Sequence, residues 1–268
     1  MKKRLLTAAV GLTLLVIVLA FHDTVVFDIA IIIVNLIALY EAFINTKKVV
    51  DWPILGVAAA YTVLTPLVYT GYIPMATSVL NIVYVTVMFL VAILRQRIIQ
   101  LDSLVFGLLL SLLLSQSFTC FIMVSHSTNG LFLLLYSFSC AWICDAGAYF
   151  VGRKFGKHKL APVISPKKTV EGAVGGLIAS EIFAVILVLV CPVLFTTVEK
   201  LSLPWVMLLT PVVSIAGIIG DLMASYIKRS TGIKDFGNLL PGHGGILDRF
   251  DSMLLIVPMV YIAVQLIN

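Results

Sequence analysis

Two stretches hold most of the chemistry in this chain. The richer one carries Asp221, Ser225, Lys228 and Arg229, then Lys234 and Asp235. It continues with Pro241-Gly242-His243-Gly244-Gly245, then Asp248, Arg249, Asp251 and Ser252. On a helix, Asp221, Ser225 and Lys228 fall on one face, and Asp248, Asp251 and Ser252 on another. The run from Pro241 to Gly245 is no regular helix; it is backbone that can approach a ligand closely. Carboxylates beside hydroxyls, with many Lys and Arg and no Cys/His cluster, suit a hard cation. Mg²⁺ takes oxygen ligands and commonly bridges one or two carboxylates to substrate phosphates. The bases would hold the remaining phosphate charge, which is the toolkit of phosphoryl or nucleotidyl transfer.

The other stretch carries Asp145, Arg153, Lys154, Lys157, His158 and Lys159, then Ser165, Pro166, Lys167, Lys168, Thr169 and Glu171. Ser165 and Pro166 read as a helix start, serine as N-cap and proline at the first helical position. That places Lys167 and Lys168 in a first turn, where cations oppose the helix dipole. An anion bound there would reverse the penalty. The competing reading is an ordinary basic loop; the basic cluster together with the start signal favours phosphate binding. Asp145 lies near the end of an apolar run, where a carboxylate is costly and usually functional. Asp28, Glu41 and Glu181 raise the same question: each touches the site, caps, pairs with a polar neighbour, or faces the bundle interior.

The elements that position these residues must be membrane helices. The 268 residues are 61% hydrophobic and 12% charged, against about 25% charged in soluble domains. Mean hydropathy is +1.12. Apolar runs fit spans at 5–21, 25–45, 53–72, 76–94, 104–123, 130–150, 171–194, 204–224 and 252–267. Their continuity excludes a barrel, whose strands alternate. The expected fold is all-α: a polytopic transmembrane bundle of about nine helices, N-terminus in and C-terminus out. With that orientation, all but Lys200 of the 18 Lys and Arg residues face inside. Both long loops, 151–170 and 225–251, are then inside, and the loops at 22–23, 71–74, 125–129 and 196–203 outside. Lys2, Lys3 and Arg4 before an apolar run imitate a signal peptide, but without a clean cleavage site the run reads as a first membrane helix. Residues 1–130 are expected to form N-terminal membrane helices, and 131–268 a membrane domain carrying the catalytic cytoplasmic segments. Cys120, Cys140, Cys144 and Cys191 read as small apolar residues in packed helices.

Taken together, these motifs resemble the signature of phosphatidate cytidylyltransferases: Ser225, Lys228-Arg229, Lys234-Asp235, Pro241 to Gly245, and Asp248-Arg249 with Asp251. Asp145 to Tyr149, Gly152-Arg153, Gly156 to Lys159 and Ser165 to Gly172 resemble the same family's middle region. The resemblance is close over 145–252; before that it is one of hydropathy alone. It implies a polytopic helical enzyme converting CTP and phosphatidic acid into CDP-diacylglycerol and pyrophosphate, dependent on Mg²⁺ and often dimeric. It places the metal at Asp221 and Asp248. Lys228, Arg229, Lys234, Asp235, His243, Arg249 and Asp251 are then the expected catalytic group. Arg153, Lys157, Lys167, Lys168 and Ser225 are the expected phosphate ligands. His243 either donates a proton or hydrogen-bonds its loop. The setting implied is a lipid bilayer, a bacterial plasma (inner) membrane with the site facing the cytoplasm, and no nucleic-acid partner. A CTP-dependent polyprenol kinase would use a similar toolkit on an alcohol. An anion or lipid transporter would scatter ionisable groups at mid-membrane, whereas here they gather at one end.

Overall fold

A computed structural model describes residues 2–49, 51–195 and 202–267, with side chains from 7 to 266 within those ranges. Lys200 and most of the expected 196–203 loop lie outside the described residues. The described residues form ten helices and one hairpin: α1 (Lys2–Ala20), α2 (Val25–Thr46), α3 (Trp52–Tyr69), α4 (Thr77–Leu94), α5 (Leu101–Ser125) and α6 (Gly130–Phe155); strands β1 (Lys159–Ala161) and β2 (Ser165–Thr169); then α7 (Val170–Leu194), α8 (Leu203–Ser230), the single turn α9 (Leu247–Phe250) and α10 (Met253–Ile267). Seven of them, α2 to α8, are long and apolar enough to cross a bilayer; Thr7–Ala20 and Met253–Leu266 are shorter apolar helices. The architecture is that of a helical membrane protein. Exposed Ile178, Ile182 and Leu189 on α7 and Ile82, Ile93 and Leu94 on α4 are what a lipid-facing surface requires.

Three local expectations are corrected. Helix α6 runs beyond 150 to Phe155 and α8 beyond 224 to Ser230. Arg153 with Lys154, and Lys228 with Arg229, occupy their last turns, where cations complement the helix dipole. The helix expected from Ser165 is strand β2, antiparallel to β1 with Lys159 opposite Thr169 and Ala161 opposite Ser165. Helix α7 begins after Thr169, whose hydroxyl accepts from Gly172 N–H at 3.1 Å. A cap bond at Thr169 therefore sets the helix start, and Lys167 and Lys168 lie before it, outside the first turn. Finally, Asp248, Asp251 and Ser252 do not share one helical face: α9 ends at Phe250 and α10 begins at Met253.

The chain forms two compact units, Met1–Met123 with Lys228–Phe250, and Val124–Ile227 with Asp251–Asn268. Hydrogen bonds between side chains tie helices together in the first. Thr62 of α3 meets Ser115 of α5 at 2.9 Å, Tyr61 donates to Asn81 of α4 at 2.8 Å, and Gln116 donates to Tyr61 at 2.8 Å. In lipid, such bonds and close packing hold helices together, because burial from water adds nothing there. Phe250 sits 5.5 Å from the Phe118 ring and 5.9 Å from that of Phe121, anchoring α9 on α5.

In the second unit, α6 and α7 pack through small residues. A Cβ at Gly176 would lie 2.6 Å from Cys144 O, one at Gly172 2.7 Å from Ala148 O, and one at Gly147 2.7 Å from the Ala179 methyl. Such backbone approach is available only to helices with a seam of small side chains. Cys140 and Cys144 are buried on α6.

Candidate functional site

The second unit holds the hairpin and the part of α8 that carries Asp221. Glu171, in the first turn of α7, accepts from Lys157 N–H at 3.0 Å and His158 N–H at 3.2 Å, and its Oε1 lies 2.6 Å from His158 Nδ1. A carboxylate at a helix N-terminus suits the dipole, and this one also fixes the chain entering β1. Lys168, leaving the hairpin, forms an ion pair with Asp221 Oδ2. Ser225, one turn along α8, directs its hydroxyl at Asp221 Oδ1 at 3.4 Å. Lys168 and Ser225, expected as phosphate ligands, thus gather on Asp221. Arg153, Lys157 and Lys167 are exposed, and Arg153 lies 3.3 Å from Tyr149 Oη.

The first unit holds the end of α8 and the loop leading to α9. Asp248 is buried, its side chain 3% exposed. Its Oδ1 accepts from Lys228 Nζ at 2.9 Å, and its Oδ2 from the backbone N–H of Phe236 at 2.8 Å and Gly245 at 3.0 Å. Lys228 also lies over the Phe236 ring, 5.3 Å from its centre. The glycine-rich run turns as its composition demands. Leu240 bridges to Gly244, and Gly242 and Gly244 have φ of 80° and 84°, a region closed to most side chains. A Cβ on Gly244 would also lie 2.9 Å from Asp248 Oδ2. His243 Nδ1 is buried with no hydrogen-bond partner among the described residues. Arg229, Lys234, Asp235 and Arg249 are exposed, giving the loop a basic rim. Asp251 belongs to the second unit, where its Oδ1 accepts from Ser252 N–H at 2.9 Å.

Two groups emerge that the residue types alone left open. Glu41 of α2, 4% exposed, accepts from Ile246 N–H at 3.1 Å and Leu247 N–H at 3.0 Å. Its only trace in the sequence was a carboxylate in an apolar run. Asn45, one turn on, donates to Phe236 O at 2.5 Å, and nothing in its own segment marked it.

Asp221 and Asp248 are hard oxygen donors, each already facing an ammonium group, so both suit a divalent cation in type. Among the described residues no three His, Cys, Asp or Glu side chains converge. Water and substrate oxygens would therefore complete any Mg²⁺ shell, as is usual for that ion. Of about four lone-pair sites on a carboxylate, Asp248 has committed three to the protein, so it anchors the loop whatever else it binds.

Fold and site define a class: an integral membrane protein whose polar loops are built around basic residues and paired carboxylates. More narrowly, the chain belongs to the cytidylyltransferase family, which it matches over residues 2–267. It is 36% identical to the phosphatidate cytidylyltransferase of Bacillus subtilis (strain 168) over 278 residues, covering 100% of this chain and 99% of that protein. It is 48% identical to the phosphatidate cytidylyltransferase of Staphylococcus haemolyticus (strain JCSC1435) over 135 residues, 50% of each chain. Against that of Staphylococcus aureus (strain COL) the identity is 45% over 136 residues, again 50% of each.

Proposed function

We propose that this protein transfers a cytidylyl group from CTP to phosphatidic acid, forming CDP-diacylglycerol and pyrophosphate. The observation that carries this reading is the family match along essentially the whole chain, with a full-length relative named phosphatidate cytidylyltransferase. In the reaction, a phosphate oxygen of phosphatidic acid attacks the α-phosphorus of CTP in line. A bond forms between them, and the bond to the β-phosphate bridging oxygen breaks, its electron pair leaving on pyrophosphate. The attacking phosphate is already anionic near neutral pH, so no residue need deprotonate it.

The chain's part is positioning and charge neutralisation. Lys228, Arg229, Lys234 and Arg249 supply positive charge around the triphosphate, with Arg153, Lys157, Lys167, Lys168 and Ser225 holding substrate phosphate. Asp235 and Asp251 either assist the metal or orient these bases. His243 either donates a proton or hydrogen-bonds its loop; its buried Nδ1 has no hydrogen-bond partner among the described residues. Mg²⁺, assigned to Asp221 and Asp248 by the resemblance, would neutralise charge on the α- and β-phosphates and the leaving group when bound.

The finer topology belongs to the same proposal: nine membrane helices with α1 and α10 included, N-terminus inside, and the basic loops at the cytoplasmic face of a bacterial plasma membrane. The distribution of Lys and Arg supports it. A homodimer is supported by the resemblance alone, to a family that is often dimeric. The test uses purified protein with phosphatidic acid and CTP labelled at the α-phosphate, with and without Mg²⁺. Label passing into lipid only when the metal is present supports the reading; label staying with free nucleotide in folded protein rejects it.

A further inference from the structure

The loop at 236–248 is held by two buried carboxylates within one compact unit, and the resemblance accounts for only one. Asp248 fixes it from inside, through the N–H groups of Phe236 and Gly245. Glu41 reaches it from α2, through the N–H groups of Ile246 and Leu247, while Asn45 of the same helix fixes Phe236 O. Glu41 also leaves a steric signature. A Cβ on Gly245 would lie 2.6 Å from Glu41 Cδ, and one on Gly237 2.5 Å from the same atom. At both positions the three nearest obstacles all belong to Glu41. Neither glycine has a positive φ, so no left-handed backbone calls for glycine there, and the nearest obstacles to a side chain are atoms of Glu41.

We propose that Glu41 is a positioning residue: its carboxylate docks the catalytic loop onto α2, and its bulk is the reason that 237 and 245 are glycine. The role is distinct from substrate contact, because its described partners are backbone N–H groups of the loop. Four donors from one loop converge on Glu41 and Asp248, so a displaced Glu41 displaces the chain that carries His243 and Asp248. The part played in turnover rests on the cytidylyl-transfer reading; the docking itself does not.

A thermodynamic cycle tests the docking without any substrate. Thermal unfolding is followed in detergent for the wild type, Glu41→Ala, Gly245→Ala and the double variant. Gly245→Ala is expected to lower Tm by several degrees in the wild-type background and to change it little once Glu41 is truncated, as contacting residues are non-additive. Equal losses in both backgrounds would overturn the proposal. If Glu41→Ala does not give folded protein, Glu41→Asp replaces it, since withdrawing the carboxyl by one methylene also opens space at 245. Turnover is then measured per folded molecule. Glu41→Gln replaces one acceptor with a donor facing a backbone N–H, and should lower kcat/KM by about tenfold or more, a loss of about 1.4 kcal/mol. Unchanged kcat/KM in folded Glu41→Gln would reduce Glu41 to a fold-stabilising contact and reject positioning. A wild type with no transfer activity would reject the function while the Tm cycle still judged the docking.

Discussion

Replacing Asp248 by Asn should separate what this residue does for the fold from what it does for chemistry. Its carboxylate accepts from Lys228 Nζ and two backbone N–H groups at 2.8–3.0 Å. Side-chain exposures are 11% for Lys228 and 3% for Asp248. An amide keeps one acceptor oxygen but turns its NH₂ toward either the ammonium or the backbone donors. Breaking a buried pair of this kind costs about 3–5 kcal/mol; the misplaced donor overlaps with that figure and is not added to it. Lys228→Met should cost less, about 2–3 kcal/mol, because two N–H groups still compensate the Asp248 charge. The double variant should be less damaged than the sum, with a coupling of about 2 kcal/mol. Unfolding by denaturant in detergent, for all four proteins, gives the coupling. Additivity within about 0.5 kcal/mol would refute the buried pair as the loop's anchor. Activity gives a second layer: both Asp248→Asn proteins should be inactive per folded molecule. Recovery in the double variant would mean that Asp248 serves the loop alone.

Gly176→Leu should destabilise the protein by about 2 kcal/mol or more through overpacking, because a Cβ there already meets Cys144 O; its Tm in detergent checks this. Thr62→Val should lose only about 0.6 kcal/mol, the mean for interhelical hydrogen bonds in a membrane, read from the same unfolding curves. Glu171→Ala should free the Lys157 and His158 N–H groups, so amide exchange at 156–160 should accelerate while α3 to α5 stay protected.

The chemistry was readable where it was carried by side-chain type and spacing. The Ser225–Ser252 segment drew attention because Asp, Lys, Arg and a glycine-rich turn stand close together in an otherwise apolar chain. The membrane helices followed from apolar runs alone. Their ends did not: α6 and α8 continue into basic residues that hydropathy counts as loop, because cations favour a helix C-terminus. The hairpin was hidden by competing caps. Ser165 with Pro166 is a good helix start, but Thr169 sits nearer the helix and bonds Gly172. Glu41 was legible as an anomaly and illegible as a docking group. Its partners are backbone N–H groups at 246 and 247, about 205 residues away, and a backbone donor leaves no mark in residue type. The glycines at 237 and 245 were the missing clue: Gly245 read as backbone open to a ligand, whereas at both positions the Glu41 carboxylate lies where a Cβ would stand.

Cytidylyl transfer itself is tested most directly with two batches of CTP, one labelled at the α-phosphate and one at the γ-phosphate, each given to the purified protein with phosphatidic acid and Mg²⁺. The α-label should enter the lipid phase in a one-to-one ratio with released pyrophosphate, and the γ-label should appear only in that pyrophosphate. Label from the γ-position in lipid would mark a kinase. Neither label in lipid, from protein shown to be folded, would contradict transfer altogether.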